Sequence, residues 1–408
     1  MKILLSAYAC EPDKGSEPGV GWNWAIELAR LGHEVTVLTR SNNRESIIPA
    51  LQRLEPLSLT FIYFDLPLWM RWWKRGRRGV HLYYRLWQMG IYRVARRLST
   101  ANPFDVVHHL TFSAFRQPSS LGRLGIPFVI GPLAGGEFAP PALARTLPLH
   151  ARLHEYLRWM GNRLALRNPA VRAMLESAAV ILCKTSETLH ALPAAYRSKC
   201  LIQVEIGVDR DWLAEAIAAP QSPRFLYAGR LLCLKGIHLA MEALAVALRQ
   251  RDDIRLTIIG RGPDKAWLAR RSRQLGISQA IEWRDWMPRD KLSQEYRNAL
   301  ALIMPSLHDS SGNVIYESLA AGAPVICLNT GGPGEIVPEG GGFRIATHAR
   351  SRQDVVEDLA RAILALANDR NMARQMSENA LAYARQHEWG TIVAKAYAAI
   401  ESTLKPIR

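Results

Sequence analysis

The chain lacks the signatures of several easily recognised protein classes. Its 408 residues include five cysteines and no C-x-x-C pair, which argues against zinc-ribbon and disulfide-stapled folds. No apolar run reaches the roughly 18 residues that a membrane-spanning helix needs. The N-terminal stretch MKILLSAYACEP becomes polar too early for a secretory signal and is expected to form a buried strand. We therefore expect a cytoplasmic protein whose cysteines are reduced core thiols rather than metal ligands.

Acidic residues are scarce in one half of the chain. Residues 1–205 contain 26 Lys and Arg against 14 Asp and Glu, whereas residues 206–408 contain 26 against 22. The first half therefore carries +12 of the net charge of +16. Such an excess attracts nucleic acid, an anionic membrane or acidic small molecules, and these three partner classes stay open at this point.

The stretch 66–104 has no acidic residue at all. Within it, residues 69–97, here called the basic segment, interleave cations with aromatic rings: Trp69, Arg71, Trp72, Trp73, Lys74, Arg75, Arg77, Arg78, Tyr83, Tyr84, Arg85, Trp87, Tyr92, Arg93, Arg96 and Arg97. This mixture favours the headgroup layer of a bilayer, where each cation near anionic lipid contributes about 1 kcal/mol. A helix pair that packs its rings in the core and leaves its arginines solvated is the alternative, and both interpretations can hold together.

Nucleic acid is the third interpretation of the basic segment. No recognition module accompanies the basic stretch, which argues against it. We therefore expect contact with an anionic membrane surface through residues 69–97 and a peripheral position on the inner face of the plasma membrane. No nucleic-acid partner is expected.

Short apolar strands alternate with helices along the whole chain. The predicted strands are 2–8, 34–39, 58–64, 104–109, 127–131 and 179–184 in the first half, and 224–229, 256–260, 280–283, 300–304 and 324–327 in the second. Continuous apolar strands separated by helices indicate parallel sheets covered on both faces. The length fits two such α/β domains, at 1–206 and 207–388. The last helix, within 389–408, is expected to pack back on the first domain.

The stretch PSLHDSSGNVIYESLAAGAPVI, residues 305–326, is the most informative in the chain. A polar loop after a strand contains Asp309, Gly312 and Asn313 open a helix, and Glu317 follows Asp309 by eight residues. The amides of a helix N-terminus bind anions such as phosphate. Carboxylates suit hydroxyl groups, so the predicted ligand is a nucleotide-linked sugar.

Two further loops of the second half follow strand ends, where open α/β sheets bind their ligands. In AGRLLCLKG, two cations five residues apart, Arg230 and Lys235, suit a diphosphate, and Gly229 precedes them. In IIGRGPD, Gly260 lets a ligand approach the backbone closely. A solvated loop and a plain turn are the respective alternatives for each stretch taken alone.

Taken together, these stretches resemble the retaining glycosyltransferases of family 4. The resemblance extends along nearly the whole chain and is carried by IGVD (206–209), GRLLCLKG, IIGRGP, the acidic-x7-acidic helix and GGPGE (331–335). It implies the GT-B fold, in which two Rossmann-like doubly wound domains face a central cleft. The first domain would bind the acceptor and the second the nucleotide-sugar donor. Here Asp309 stands where that family usually has Glu.

The resemblance also implies roles for single residues. Arg230 and Lys235 would bind the donor diphosphate, Asp309 the sugar hydroxyls and Glu317 the ribose. The remaining donor-binding residues would be Gly19, Gly21, Gly229, Gly260, Gly312, Asn313 and Val314. Gly19 and Gly21 are expected in the loop between the first strand and the first helix.

A histidine of the stretch HHLTF is expected near the reacting sugar. Strand alternation makes His108 and His109 face opposite ways, and His109 is the preferred candidate. Glu137 is either an acceptor-site carboxylate or a surface acid.

The expected activity is transfer of a sugar from a nucleoside diphosphate to an acceptor hydroxyl with retention, on a lipid-linked or oligosaccharide acceptor of cell-surface polysaccharide synthesis. No Asp-x-Asp pair lies near the phosphate loops, so neither a metal ion nor a cofactor is expected beyond the donor substrate. Two alternatives remain. One is another GT-B enzyme, an inverting transferase or a sugar-nucleotide epimerase. The other is a non-catalytic, membrane-associated sugar-nucleotide binder.

Overall fold

The chain folds into two compact units, each built on one parallel β-sheet. The computed structural model describes residues 1–71, 73–74, 79–112, 114–215 and 222–404. Unit 1 comprises residues 1–136, 160–206 and 389–408, and unit 2 comprises 137–159 and 207–388. Five residues of the basic segment, Trp72, Arg75, Gly76, Arg77 and Arg78, lie outside the described residues.

Among the described residues, unit 1 has seven strands in the order β3-β2-β1-β4-β5-β6-β7, and unit 2 has six in the order β10-β9-β8-β11-β12-β13. All the strand pairs are parallel. The strands are β1 Lys2–Ser6, β2 Glu34–Thr39, β3 Leu59–Tyr63, β4 Val106–His109, β5 Phe128–Leu133, β6 Val180–Cys183, β7 Cys200–Ile202, β8 Arg224–Ala228, β9 Arg255–Ile259, β10 Ile281–Arg284, β11 Ala301–Met304, β12 Val325–Leu328 and β13 Gly342–Ile345.

Helices connect the strands, as parallel pairing requires. They are α1 Ser16–Arg30, α2 Arg44–Leu51, α3 Val80–Ala101, α4 Pro141–Ala144, α5 Leu149–Arg167, α6 Pro169–Ser177, α7 Ser186–Ala191, α8 Ile237–Ala247, α9 Lys265–Gln274, α10 Arg289–Arg297, α11 Asn313–Ala320, α12 Gly331–Ile336, α13 Arg352–Asn368, α14 Arg370–Arg385 and α15 Trp389–Leu404. No described helix combines the length and the apolar composition that crossing a bilayer requires.

The predicted strands correspond to eleven of the strands in the structure, and the two that the sequence analysis missed are β7 and β13. Both lie at an edge of their sheet, and their residues are mostly half-buried or exposed. An edge strand has one neighbour and buries less side-chain surface. A short strand of this kind therefore lacks the continuous apolar run from which the others were predicted.

The aromatic rings of the basic segment lie mainly in the core of unit 1. Tyr83, Tyr84 and Trp87 are fully buried on α3, whereas Trp69, ahead of that helix, is 74% exposed. The alternative that the rings pack in the core is therefore correct for these three side chains, which cannot contact lipid. The arginines on the outer side of α3 are exposed: Arg85, Arg93, Arg96 and Arg97.

Residues 137–159, predicted to belong to the first domain, lie in unit 2. Side chains far apart in sequence hold the segment there. His308 Nδ1 lies 2.9 Å from Glu155 Oε1, and Thr146 Oγ1 lies 3.3 Å from His238 Nε2. A boundary drawn from local composition cannot foresee such pairings. Helix α15 belongs to unit 1, where it contacts α1.

The turn from β8 into α8 depends on a glycine without space for a side chain. Gly236 has φ +69°, and a Cβ at this position would lie 1.8 Å from the carbonyl oxygen of Pro305. Gly276, after α9, has a similar φ of +71° but no atom within 4 Å of its Cβ position. Both glycines have the left-handed conformation, but only Gly236 has a neighbouring atom where a Cβ would lie. Comparing the two therefore separates the cost of the backbone conformation from the cost of the steric clash.

We expect Gly276→Ala to lower the free energy of unfolding by about 1 kcal/mol, the cost of a left-handed non-glycine residue. Gly236→Ala should cost about 2 kcal/mol more, because the backbone at Pro305 must also move. Urea and thermal unfolding of the two variants check this. Equal losses would show that the contact with Pro305 contributes nothing.

Candidate functional site

The candidate site lies where the strand order of unit 2 reverses direction. From β8 the chain passes through α8 to β9 and β10 on one side, and it then returns to β11, β12 and β13 on the other side. The loops that follow β8 and β11 therefore diverge at the carboxyl ends of two neighbouring strands. Open α/β sheets bind ligands at such a switch point.

The loops at this edge are bonded to one another through their backbones. Leu307 N donates to Leu234 O at 2.9 Å, which joins the loop after β11 to the loop after β8. Leu231 N donates to Arg261 O at 3.0 Å, which joins the loop after β8 to the loop after β9. The three stretches that the sequence analysis selected are thus neighbours in one framework.

The structure brings Lys235 and Asp309 into a direct ion pair between the lysine Nζ and the aspartate Oδ2. Both side chains are about four-fifths buried, so solvent screens the pair only in part. Arg230 lies in the same loop, is exposed, and forms an ion pair with none of the carboxylates that the structure describes. The site therefore holds one paired and one unpaired cation.

The glycines of the phosphate loops are used for contacts within the protein. Gly260 has φ +147°, and a Cβ there would lie 1.9 Å from the carbonyl oxygen of Gly229. Gly229 itself has φ +146°. A ligand was predicted to approach the backbone closely at Gly260, but in the structure the backbone of Gly229 does so. A side chain at either glycine would disturb the ends of β8 and β9.

The glycines of the GGPGE stretch hold the backbone of Asp309. Gly332 N donates to Asp309 O at 2.8 Å. A Cβ on Gly331, which has φ +53°, would lie 2.1 Å from the same oxygen. These contacts fix the backbone position of Asp309. This role of the GGPGE stretch cannot be predicted from the sequence alone.

Helix α11 begins at Asn313, with Gly312 as its N-cap, which confirms the predicted helix start. The first N–H groups of an α-helix have no partner within the helix. Those of Asn313 and Val314, at the positive end of the helix dipole, therefore offer donors to an anion. All three residues are half-buried and remain accessible.

Glu317 lies one turn along α11 from Asn313, in an environment that opposes its ionisation. Burial raises the pKa of the Glu317 carboxyl to about 7, although Tyr296 and Arg289 counteract the shift. The Tyr296 hydroxyl donates to Glu317 Oε2 at 3.1 Å. Arg289 forms an ion pair with Asp209. This carboxyl can therefore change its charge near neutral pH.

A second polar group of unit 2 consists of Glu155, on the segment 137–159, and His308. The sequence analysis did not predict it. Burial would raise the pKa of Glu155, but the hydrogen bond and charge of His308, together with Arg158, lower it to about 2. His308 directly precedes Asp309, so its bond to Glu155 helps to fix the loop. No local pattern in the sequence connects residues 153 positions apart. Glu137, considered as a surface acid, is only 1% exposed, so that alternative is wrong.

One group of potential metal ligands occurs among the described residues, although none was expected. Donor atoms of His150, Cys233 and Asp264 lie within 4.8 Å of one another. Asp264 Oδ2 already accepts a hydrogen bond from Cys233 N at 2.7 Å. Burial raises the pKa of the Cys233 thiol to about 12, which disfavours the thiolate that binds metals.

Gly19 and Gly21 lie inside α1, which begins at Ser16, so their predicted position in a loop is wrong. Cβ atoms on them would lie 2.1 Å from Lys14 O and 2.1 Å from Ala9 O, respectively. The loop between β1 and α1 folds back over the first turns of the helix. Both glycines are required there because the loop backbone occupies the space of a side chain.

His108 and His109 face opposite sides of β4, as strand alternation predicts, and both are fully buried. His108 Nε2 donates to Gly131 O at 2.9 Å, and its Nδ1 lies 2.9 Å from the Tyr397 hydroxyl. His109 Nε2 lies 2.7 Å from the Tyr84 hydroxyl, and its Nδ1 lies 3.2 Å from Ser6 Oγ.

Burial lowers the pKa of His108 to about 4 and that of His109, which also experiences the charge of His108, to about 3. Both imidazoles are therefore neutral and are bonded within the core of unit 1. In this structure no atom of His109 is open to a substrate.

Part of the chain matches a known protein family. Residues 209–382 match the model of the family "Glycosyl transferases group 1". The D-inositol 3-phosphate glycosyltransferase of Nocardia farcinica is 33% identical over 184 residues, which are 43% of this chain and 40% of that protein. The chain thus spans less than half the length of this curated relative. The matched family region contains all the predicted donor-site residues of unit 2.

Solved structures resemble the chain along almost its whole length. WaaG, a glycosyltransferase involved in lipopolysaccharide biosynthesis, aligns over 98% of this chain and 99% of its own, with a TM-score of 0.60 and 18% identity. Anabaena HepE in complex with UDP and glucose aligns over 98% and 100%, with a TM-score of 0.60 and 14% identity. With the two parallel α/β sheets, these likenesses confirm the predicted GT-B fold. Residues 209–382 are thus similar to group 1 glycosyltransferases.

The raised pKa of Glu317 makes stability depend on pH in a defined direction. An unfolded glutamate has a pKa of about 4.5, so the folded state prefers the protonated carboxyl between pH of about 4.5 and about 7. The full stability is present below the lower value and is lost as the pH rises through the upper one.

Glu317→Gln removes this charge and keeps an acceptor for the Tyr296 hydroxyl. We expect the variant to be more stable than the wild type by about 2 kcal/mol at pH 8 and equally stable at pH 5. Urea unfolding at the two pH values measures the difference. The same difference at both pH values would contradict the assignment.

Proposed function

We propose that the protein is a retaining glycosyltransferase of family 4 that transfers a sugar from a nucleoside diphosphate to an acceptor hydroxyl. The observation that carries the proposal is the ion pair of Lys235 with Asp309, which joins the loop that contains Arg230 to the loop that leads into α11 at the switch point of unit 2. These groups provide cations and amides for phosphates beside a carboxylate for hydroxyls. The complex of HepE with UDP and glucose supports this donor class.

Donor binding would break the ion pair of Lys235 with Asp309. These two residues neutralise each other in this structure. An entering diphosphate competes for the lysine, because phosphate oxygens are strong acceptors for a cation. Asp309 is then released to accept hydrogen bonds from the sugar hydroxyls. The exchange keeps the largely buried lysine paired throughout.

Glu317 would hold the ribose. An ionised carboxylate accepts hydrogen bonds from two neighbouring hydroxyls, whereas the protonated acid uses one oxygen as a donor. With a pKa of about 7, Glu317 becomes a better ribose ligand as the pH rises through neutrality. Its burial against Tyr296 orients the carboxyl before the donor binds.

In the proposed reaction the bond from the anomeric carbon to the phosphate oxygen breaks, and a bond to the acceptor oxygen forms on the same face. The acceptor proton passes to the leaving phosphate oxygen, so the products are the glycoside and the nucleoside diphosphate. Arg230, Lys235 and the α11 amides stabilise the negative charge that develops on the diphosphate. The proposal includes no metal ion, and a protein base is not needed.

The acceptor in this proposal is a lipid-linked or oligosaccharide substrate of cell-surface polysaccharide synthesis. The role of WaaG in lipopolysaccharide biosynthesis supports this substrate class. Attachment of the basic segment to the inner face of the plasma membrane is part of the proposal. Arg93, Arg96 and Arg97 of that segment line a surface groove beside Met89, which suits anionic headgroups.

A thermal-shift screen with UDP-, GDP- and ADP-sugars tests the donor site. A ligand that binds only the folded state raises the melting temperature, and one of the three should do so for the wild type. Lys235→Ala should abolish most of the shift. Lys265→Ala is the matched control, because Lys265 pairs with Asp285 on the surface of the same unit. If Lys235→Ala keeps the full shift, the site is misassigned.

Asp309 variants test the proposed division of the ion pair. Asp309→Asn should bind free nucleoside diphosphate as tightly as the wild type or more tightly, because Lys235 loses its competing partner. Transfer should fall by about 100-fold, the usual cost of one lost transition-state contact. Asp309→Glu should retain measurable transfer. A loss of diphosphate affinity equal to the loss of transfer would contradict the exchange.

A further inference from the structure

Charged side chains gather at the carboxyl edge of the unit 1 sheet, beyond the ends of β2 and β3. Arg40 directly follows β2, and Asp65 follows β3 by two residues. Phe64 N donates to Thr39 O at 2.9 Å, so the two chain segments remain paired up to this point. Arg40 Nε lies 3.2 Å from Asp65 Oδ1. Ligands of open α/β sheets bind outside the carboxyl ends of the strands.

The start of α3 holds the carboxylate of Asp65 in place. The Tyr83 hydroxyl donates to Asp65 Oδ1 at 2.5 Å. Burial and this hydrogen bond raise the pKa of Tyr83, so the hydroxyl keeps its proton. Trp87 Nε1 donates to Phe64 O at 2.9 Å, which ties the segment after β3 to the helix. The Asp65 side chain is only 7% exposed and is therefore part of a fixed framework.

Three cations share this one carboxylate. Arg71 Nη1 lies 3.5 Å from Asp65 Oδ2. Lys74 Nζ lies 5.0 Å from the centre of the Tyr83 ring, and Lys74 forms an ion pair with none of the carboxylates that the structure describes. Burial, followed by the charge of Arg40, lowers the pKa of Lys74, although Asp65 counteracts the shift. The cluster therefore has an excess of positive charge that its own carboxylate does not balance.

The three cations surround an open pocket of about 440 Å³. Such a volume is typical of small-molecule sites, which have roughly 300–1,000 Å³. The lining residues are Arg40, Leu68, Arg71, Lys74 and Tyr83. Leu68 is 74% exposed and adds an apolar surface beside the cations. The pocket is separate from the groove of Arg93, Arg96 and Arg97, since Arg93 lies about 15 Å further along α3 than Tyr83.

We propose that this pocket binds the phosphate group of a phosphorylated saccharide. Arginine forks and a lysine ammonium are the side chains that bind phosphate oxygens in proteins. A phosphate ester carries a charge of about −1.5 to −2 at pH 7, which balances the excess of the cluster. Leu68 then contacts the apolar face of the sugar ring.

The place of this ligand in the reaction rests on the proposed function, whereas phosphate binding at the pocket does not. In the proposed transferase the first domain binds the acceptor, so the phosphate belongs to the acceptor saccharide. The group is either an ester on the sugar or the phosphate that links a saccharide to a lipid. Both sources present the same charged oxygens to the three cations.

Isothermal titration calorimetry with glucose 1-phosphate tests the pocket. The Lys235→Ala protein is the background, because this change weakens phosphate binding at the proposed donor site. Lys74→Ala and Arg71→Ala should each weaken binding about tenfold, the effect of one lost charge-assisted hydrogen bond. Lys2→Ala is the matched control, because Lys2 pairs with Glu34 on the surface of the same unit, and it should bind as the background does.

Asp65→Asn should change the affinity in the opposite direction. The amide oxygen still accepts from the Tyr83 hydroxyl, but Arg40 and Arg71 lose the carboxylate that competes with phosphate. We expect binding to be about tenfold tighter. A cluster that serves only to stabilise the fold would not gain affinity for phosphate when its carboxylate is removed. Circular dichroism verifies that the variants are folded.

Geranyl diphosphate, titrated in the same way, distinguishes the two sources of the phosphate. Tighter binding than that of glucose 1-phosphate supports a lipid-linked group, and weaker binding supports a sugar phosphate. If neither compound binds, the inference is overturned. Unchanged affinity in both Lys74→Ala and Arg71→Ala, or weaker binding in Asp65→Asn, would overturn it as well.

The outcome is independent of the donor site. Lys74→Ala in the otherwise unchanged protein should keep the full thermal shift with the nucleotide sugar, so a failure at this pocket leaves the proposed donor site standing. A failed donor screen together with phosphate binding that responds to the three variants would refute the transferase and leave the pocket assigned.

Discussion

The contact between the loop after β8 and the loop after β11 is the constraint on which the candidate site depends. The backbone bond from Leu307 to Leu234 and the packing of Gly236 against Pro305 keep the two loops together. At this separation the Lys235 ammonium contacts the Asp309 carboxylate. The parallel order of the strands brings the loops to one edge of the sheet, and the glycine contacts determine how closely they approach.

The candidate site contains three ionisable side chains that would pair with a donor in the proposed complex. Lys235 and Asp309 neutralise each other, and Glu317 resists ionisation because it is buried. Separated and unpaired, these charges would each lose solvation without a compensating partner. In the proposed complex a diphosphate sugar would provide partners for all three: phosphate for the lysine and hydroxyls for the two carboxylates.

Most of the fold and part of the site could be predicted from the sequence, because both depend on patterns of neighbouring residues. Apolar runs gave the central strands, and the glycine and acid spacing after β11 gave the start of α11 and the position of Glu317. The pairing of Lys235 with Asp309 was beyond such patterns, since it depends on how two loops meet. The bond from Glu155 to His308 and the assignment of 137–159 to unit 2 were missed for the same reason. The first turns of α1 were taken for a loop because glycine-rich sequence also forms turns, whereas here glycine admits a neighbouring backbone.

The crystal structure of the protein with a nucleoside diphosphate sugar tests the central claim most directly. Our account predicts diphosphate oxygens within hydrogen-bonding distance of Lys235 Nζ and the Asn313 amide. It also predicts that Asp309 has moved from the lysine to a sugar hydroxyl and that Glu317 contacts the ribose. A bound donor that leaves the Lys235–Asp309 pair intact, with its phosphates away from the start of α11, would contradict it.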